Sequence, residues 1–195
     1  SAIRALFSVA SRPEVVSLAG GMPYVQALSM DHMADVAARV VREQGARALQ
    51  YGSGQGDIHL REQILDITAE VGVRAHPDDI IVTTGSQMAL DLVTRTFCDP
   101  GDVVLVESPS YVGALGVFRS YECDIVHVAM DDDGLVPNAL RETIESVRAQ
   151  GKRVKLLYTI PSFQNPAGVT QPAERRREIL EIAQSAGIAV LEDDP

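Results

Sequence analysis

From Ile80 onward, short apolar and β-branched runs alternate with segments of helical spacing. No other feature constrains the fold as strongly. The runs Ile80–Thr84, Val103–Val106, Cys123–Ala129, Val154–Ile160 and Ile188–Leu191 read as strands. Between them, helices are predicted from Ser86 through Phe97, from about Val112 to Tyr121, from Pro137 to Gln150 and from Ala173 to Ala186. Strands and helices at this spacing form crossover units. The expected core is therefore α/β, a mostly parallel sheet covered by helices on both faces.

The ends of these strands carry polar groups that a core does not need. Val154–Ile160 empties into a Pro-bracketed loop, within LLYTIPSFQNPAG, that holds Asn165, Pro166 and Gly168. Ile188–Leu191 runs into Glu192, Asp193 and Asp194. Open α/β sheets bind ligands outside the carboxyl ends of their strands, so a carboxamide and a carboxylate sit where a ligand is expected. Gly85-Ser86-Gln87 opens a helix directly after a predicted strand. The first N–H groups of a helix lack partners and its dipole favours negative charge, so this turn reads as an anion site or as a simple N-cap at Ser86. Tyr111, in ESPSY, supplies an aromatic plane at a further strand end.

The N-terminal part is less regular. Ser17–Pro23, SLAGGMP, contains Gly20 and Gly21, which read as an ordinary turn or as a place of close backbone approach. Ser29 to Glu43 has helical spacing, with Ser29 as N-cap and Gly45 as stop. Gln50 to Gly56, QYGSGQG, is a glycine-rich loop that matches neither GxGxxG nor the Walker pattern. Its Tyr51 reads as a packing or rim tyrosine, or as a ligand contact. Asp57 caps a further helix that ends near Gly72.

Several classes are excluded. A length of 195 residues suits one domain or one and a part, and 46% apolar content is ample for a core. A net charge of −10 disfavours a nucleic-acid surface. No run approaches a membrane span and no signal peptide opens the chain. Cys98 and Cys123 lack CxxC or Cys/His spacing and read as buried thiols in a reducing, cytoplasmic compartment. The histidines are scattered, so no metal site is expected. No GxSxG elbow is present. Only Lys152 and Lys155 are lysines, against 15 arginines.

The set SLAGGMP, LQYGSGQG, TTGSQMALDL, ESPSY, TIPSFQNPAG and VLEDDP resembles the class I/II aminotransferases of fold type I, which use pyridoxal 5′-phosphate (PLP). Within them it is similar to the 2-aminoadipate and aromatic aminotransferase branch. The resemblance implies the large, PLP-binding domain of a type I transferase over residues 30–195. Residues 1–29 would be an arm contributing to the small domain and the substrate site. Gly85, Ser86 and Gln87 would hold the cofactor phosphate. Tyr111 would stack on the pyridine ring, and Asn165 would bond its phenolic oxygen. Cis bonds are implied before Pro166 and Pro109. Asp193 would pair with the ring nitrogen and keep it protonated. Gly20, Gly21 and Tyr24 would lie near the substrate, with Gln26 a further selectivity candidate. Tyr51 would reach the phosphate of a partner subunit in a homodimer with shared sites.

The resemblance also implies a Schiff-base lysine one strand beyond Pro195, together with the arginine for the substrate carboxylate. Lys152 follows a helix-ending glycine and Lys155 begins a strand, the wrong edge of the sheet for that role. The chain thus reads as the N-terminal portion of an aminotransferase, incomplete and inactive alone, with no catalytic residue of its own. The whole enzyme would pass an amino group from an L-amino acid to a 2-oxo acid, with 2-oxoglutarate as acceptor. Two alternatives share the pattern: the PLP-binding effector domain of a GntR-type transcription regulator, and a lyase or decarboxylase of the same fold.

Overall fold

The computed structural model describes residues 12, 14–16 and 24–195. The SLAGGMP stretch, with Gly20 and Gly21, lies outside the described residues. The chain divides into two compact units, Ser1–Gly54 and Gln55–Pro195.

In the first unit, a 3-10 turn at Val25–Ala27 precedes helix α1, Met30–Ala48. Ser29 is at the N-cap position, although its side chain makes no capping bond. The stop expected at Gly45 is overridden. Glycine costs a helix about 1 kcal/mol, and Ala46, Arg47 and Ala48 beyond it are strong helix formers. The helix ends when the Leu49 N–H returns to the Gly45 carbonyl at 3.0 Å.

The second unit opens with α2, Ile58–Glu70. The Asp57 carboxylate caps it by accepting from the His59 N–H at 2.9 Å. A 3-10 turn, Pro77–Asp79, leads to α3, Ser86–Phe97. The sheet unit follows: β1 Val103–Ser108, α4 Val112–Ser120, β2 Asp124–Asp131, β3 Gly134–Leu135, α5 Pro137–Ala149, β4 Val154–Thr159, α6 Ala173–Ser185 and β5 Ala189–Glu192.

The sheet order is β3-β2-β1-β4-β5. β2, β1, β4 and β5 run parallel, with Val103 opposite Asp124, Leu105 opposite Leu157 and Leu157 opposite Val190. Successive strand residues point to opposite faces, and the two faces carry separate cores. Val103, Leu105, Val128 and Leu157 pack with Leu140, Ile144 and Val147 of α5 and with Ile179, Ile182 and Ala183 of α6. Val104, Val106, Leu156 and Tyr158 pack with Leu90 of α3 and with Ala114, Leu115, Val117 and Phe118 of α4. Each fully buried aliphatic side chain contributes about 1.5–3 kcal/mol. Helices therefore cover both faces, as expected.

One predicted strand departs from the sequence reading. The segment predicted as a strand over Ile80–Thr84 joins no sheet among the described residues. Ile80 is extended and the Val82 N–H donates to the Gln55 carbonyl at 2.9 Å, but the run forms no ladder with a described strand. β-Branched composition favours an extended chain, but a strand requires a neighbour to ladder with. β2 runs through Asp131, and Gly134 starts an antiparallel edge strand paired to it.

The chain leaves β1 toward β2 on one side and later returns to β4 on the other. The carboxyl ends of β1 and β4 are therefore the point where successive connections diverge, the crevice that ligands occupy in such sheets.

Candidate functional site

Three segments meet at the carboxyl ends of the parallel strands. β1 ends in Ser108-Pro109-Ser110-Tyr111, with a cis bond before Pro109. β4 ends in the loop from Ile160 to Pro172, with a cis bond before Pro166. β5 ends at Glu192, followed by Asp193. Both cis bonds fall where they were expected.

A fully buried carboxylate, Glu107 at the end of β1, joins the first two segments. Its oxygens accept from Thr159 Oγ1 at 2.5 Å, Ile160 N–H at 3.2 Å, Gln164 Nε2 at 2.8 Å and Gln171 Nε2 at 3.3 Å. Burial pushes the Glu107 carboxyl above the usual carboxylate range, against the pull of these four donors.

The β4 loop closes on itself. Gln171 N–H donates to the Pro161 carbonyl and Gln164 N–H to the Val169 carbonyl, both at 2.8 Å. Arg176 of α6 clamps the base of the loop, donating to the Pro161 and Gln171 carbonyls at 3.0 and 2.9 Å. Phe163 adopts a left-handed φ of 48°, and its N–H is held by Thr170 Oγ1 at 3.0 Å. Asn165, next to Gln164, is exposed.

Tyr111 is half-buried at the N-cap of α4. Its ring lies over Gly113, where a Cβ would stand 2.4 Å from Tyr111 Cζ. Glycine at this position makes the ring's place possible. The buried Ser110 hydroxyl, between Pro109 and Tyr111, has no hydrogen-bond partner among the described residues.

Asp193 is half-buried. Its N–H extends the β4–β5 ladder to the Thr159 carbonyl at 3.0 Å, and its carboxylate accepts from the Tyr158 hydroxyl at 2.6 Å. The Tyr158 ring meets Phe118 edge-on, with centroids 5.5 Å apart. Burial, and then the bond to Asp193, push the Tyr158 hydroxyl well above the ordinary tyrosine range.

At the start of α3, Gly85 is the N-cap, with φ 82°, and supplies no side-chain cap. Ser86, read as a possible N-cap, is instead the first helical residue. Ser86 and Gln87 are exposed, and a Cβ built at Gly85 would meet nothing within 4 Å. The helix end thus presents open N–H groups to free space, as an anion site requires. Leu90 of the same helix joins the apolar cluster that contains Tyr158, with Tyr111 packed against it.

Tyr51 and Tyr24 belong to the first unit and are exposed, Tyr51 completely. Gln26 lies in the exposed 3-10 turn. Lys152 pairs with Asp124 at 2.7 Å, and Lys155 is the second residue of β4. Both lysines stand at the amino edge of the sheet, opposite Asn165 and Asp193. Cys98 and Cys123 are free and buried, as expected. No group of three potential metal ligands occurs among the described residues. No described helix is long and apolar enough to cross a membrane.

Glu107, Gly113, Tyr158, Gln164, Gln171 and Arg176 were not singled out from the sequence. A carboxylate closing the apolar run Val103–Val106 was the one available signal, but a strand-end Glu ordinarily reads as solvated.

The aminotransferase class I and II family matches residues 13–194. The chain is 39% identical, over its whole length, to an aromatic-amino-acid aminotransferase of Thermococcus litoralis, of which it covers 47%. It is also 39% identical to a 2-aminoadipate transaminase of Thermus thermophilus, covering all of this chain and 46% of that one. The crystal structure of Pyrococcus horikoshii kynurenine aminotransferase, in complex with PMP, superposes with a TM-score of 0.91 at 38% identity, covering all of this chain and 48% of that one. The chain thus spans about half the length of the relatives it matches.

Proposed function

Because the chain belongs to the class I and II aminotransferase family, we propose that it holds the cofactor in a PLP-dependent aminotransferase, which moves an amino group from an L-amino acid to 2-oxoglutarate. The observation that carries this reading is the convergence of the Asn165 loop and Asp193 at the ends of neighbouring parallel strands, β4 and β5. The residues fit the cofactor. The uncapped start of α3 is open to an anion, the Tyr111 ring is set by Gly113, and the Asp193 carboxylate is anchored by Tyr158.

When bound, the cofactor supplies a protonated heteroaromatic ring that withdraws electrons from the substrate Cα as its proton leaves. Each residue has a separate task. The Ser86 and Gln87 N–H groups and the Ser86 hydroxyl hold the phosphate, and Gly85, whose own N–H is taken by the Thr83 carbonyl, leaves room for its approach. Tyr111 covers one ring face. Asn165 donates to the phenolic oxygen and lowers its basicity. The Asp193 carboxylate keeps the proton on the ring nitrogen, since an opposite charge favours the charged form. Neither lysine of this chain lies on the site's side of the sheet, so we assign the Schiff base and the proton transfer at Cα to a lysine outside residues 1–195.

In this reading residues 30–195 belong to the cofactor domain. The functional unit is a homodimer in which Tyr51 reaches the partner's phosphate, consistent with its full exposure. The buried free thiols of Cys98 and Cys123 support a cytoplasmic setting.

The test is a donor panel on the full-length protein that carries this chain, with 2-oxoglutarate as acceptor. Glutamate formation from an aromatic or 2-aminoadipate donor, with a change in the cofactor's absorbance when donor alone is added, is expected. A protein that binds PLP but leaves every donor unchanged would refute it.

A further inference from the structure

We propose that Glu107 is a positioning residue that sets the Asn165 carboxamide in register with the Tyr111 ring. This rests on the reading of Asn165 as the partner of the cofactor's phenolic oxygen.

Glu107 is fully buried, yet every donor to its carboxylate comes from across the crevice. Thr159 and the Ile160 N–H mark the end of β4, Gln164 stands within the loop beside Asn165, and Gln171 stands at its exit. A single carboxylate therefore fixes the loop at its entry, near its tip and at its exit. Gln164 extends the link in two directions. Its Nε2 also donates to the Pro109 carbonyl at 3.0 Å, two residues before Tyr111. Its Oε1 accepts from the Ala167 N–H at 2.8 Å, two residues after Asn165. Asn165 is thus bracketed by groups that all trace back to Glu107.

The chemistry suits a carboxylate and no other side chain of this size. All four groups facing it can donate, and an ionised carboxylate only accepts. Glutamine would place its own N–H₂ against one set of these donors. Stability alone does not account for the residue, because burying a charge costs more than burying an apolar side chain at the same place. What the charge adds is one defined loop geometry.

The readout is the pH at which the visible absorbance of PLP bound to the full-length protein titrates. Removing the donor in Asn165→Ala leaves the phenolic oxygen more basic and raises that pH. Glu107→Gln should raise it as well, by about one pH unit. The two changes together should add nothing to Asn165→Ala alone, since both act through one contact. A purely structural Glu107 would lower the melting temperature and leave the titration at the wild-type pH, and that outcome overturns the proposal. If Asn165→Ala itself causes no shift, the reading of the site fails and this inference fails with it. If Glu107→Gln does not fold, Gln164→Leu keeps the test. It breaks the bonds to Glu107, Pro109 and Ala167 and should shift the titration upward, and a wild-type titration overturns the proposal.

Discussion

The Tyr158 hydroxyl donates to the Asp193 carboxylate at 2.6 Å, from near the carboxyl end of β4 to the residue that directly follows the adjacent parallel strand β5. Tyr158 of β4 is fully buried in the apolar cluster under α4, so a core residue holds a carboxylate at the end of β5. Tyr158→Phe keeps the ring contact with Phe118 and removes only this bond. It should cost about 1–2 kcal/mol, a value expected for a hydrogen bond to a partly exposed charged group. The pH dependence has a definite sign. The folded hydroxyl is held protonated above the ordinary value of 10.0, so its contribution is complete below that pH and is lost as pH rises toward the higher folded value. Urea unfolding between pH 8 and 11 should show stability falling on the alkaline side, with a shallower fall in Tyr158→Phe.

Asp193 itself carries the ring-nitrogen role in the proposed reading. In the full-length protein, Asp193→Ala should slow the half-reaction with an amino acid by about 10²-fold or more, the size of effect seen when a preorganised electrostatic partner is removed. Stopped-flow absorbance measures this directly. Near-normal rates would remove Asp193 from that role.

Gly113 should reveal the placement of Tyr111. Gly113→Ala puts a methyl group 2.4 Å from the present position of Tyr111 Cζ, so the ring must move. Alanine also raises helix propensity, by up to about 1 kcal/mol. The variant should therefore fold as well as the parent but hold PLP about tenfold more weakly, since an aromatic contact is worth about 0.5–1.5 kcal/mol. Fluorescence titration of the apoprotein separates the two effects.

The amino edge of the sheet has its own electrostatic tie. Arg153 donates to both oxygens of the buried Asp102, at 2.9 and 2.7 Å, and lowers the Asp102 carboxyl below its ordinary 3.8. A lowered folded value contributes stability above the unfolded value that is lost as pH falls through the folded one. Asp102→Asn should cost about 1–2 kcal/mol at pH 7, discounted because the guanidinium is more than half exposed. It should also lose less stability than the parent between pH 5 and 2. Paired denaturation curves at the two ends of that range check the sign.

Local chemistry made much of this protein legible in its amino-acid order. Helix starts at Ile58 and Pro137 follow from a capping Asp57 and from proline's fixed φ, each a matter of a few neighbouring residues. Asn165 and Asp193 could be placed at strand ends because the apolar runs before them stop abruptly. The family pattern around Pro109 and Pro166 carried the cis bonds. Tertiary structure alone decided which strands are neighbours. That choice brings Glu107 to Gln164 and Gln171 across 57 and 64 residues, and Tyr158 to Asp193 across 35. It also left Ile80–Thr84 outside the sheet formed by the described residues, despite its composition. A backbone preference is settled within a turn of chain, whereas a hydrogen-bond partner depends on register and on which strand lies alongside, and neither is written in the residue itself.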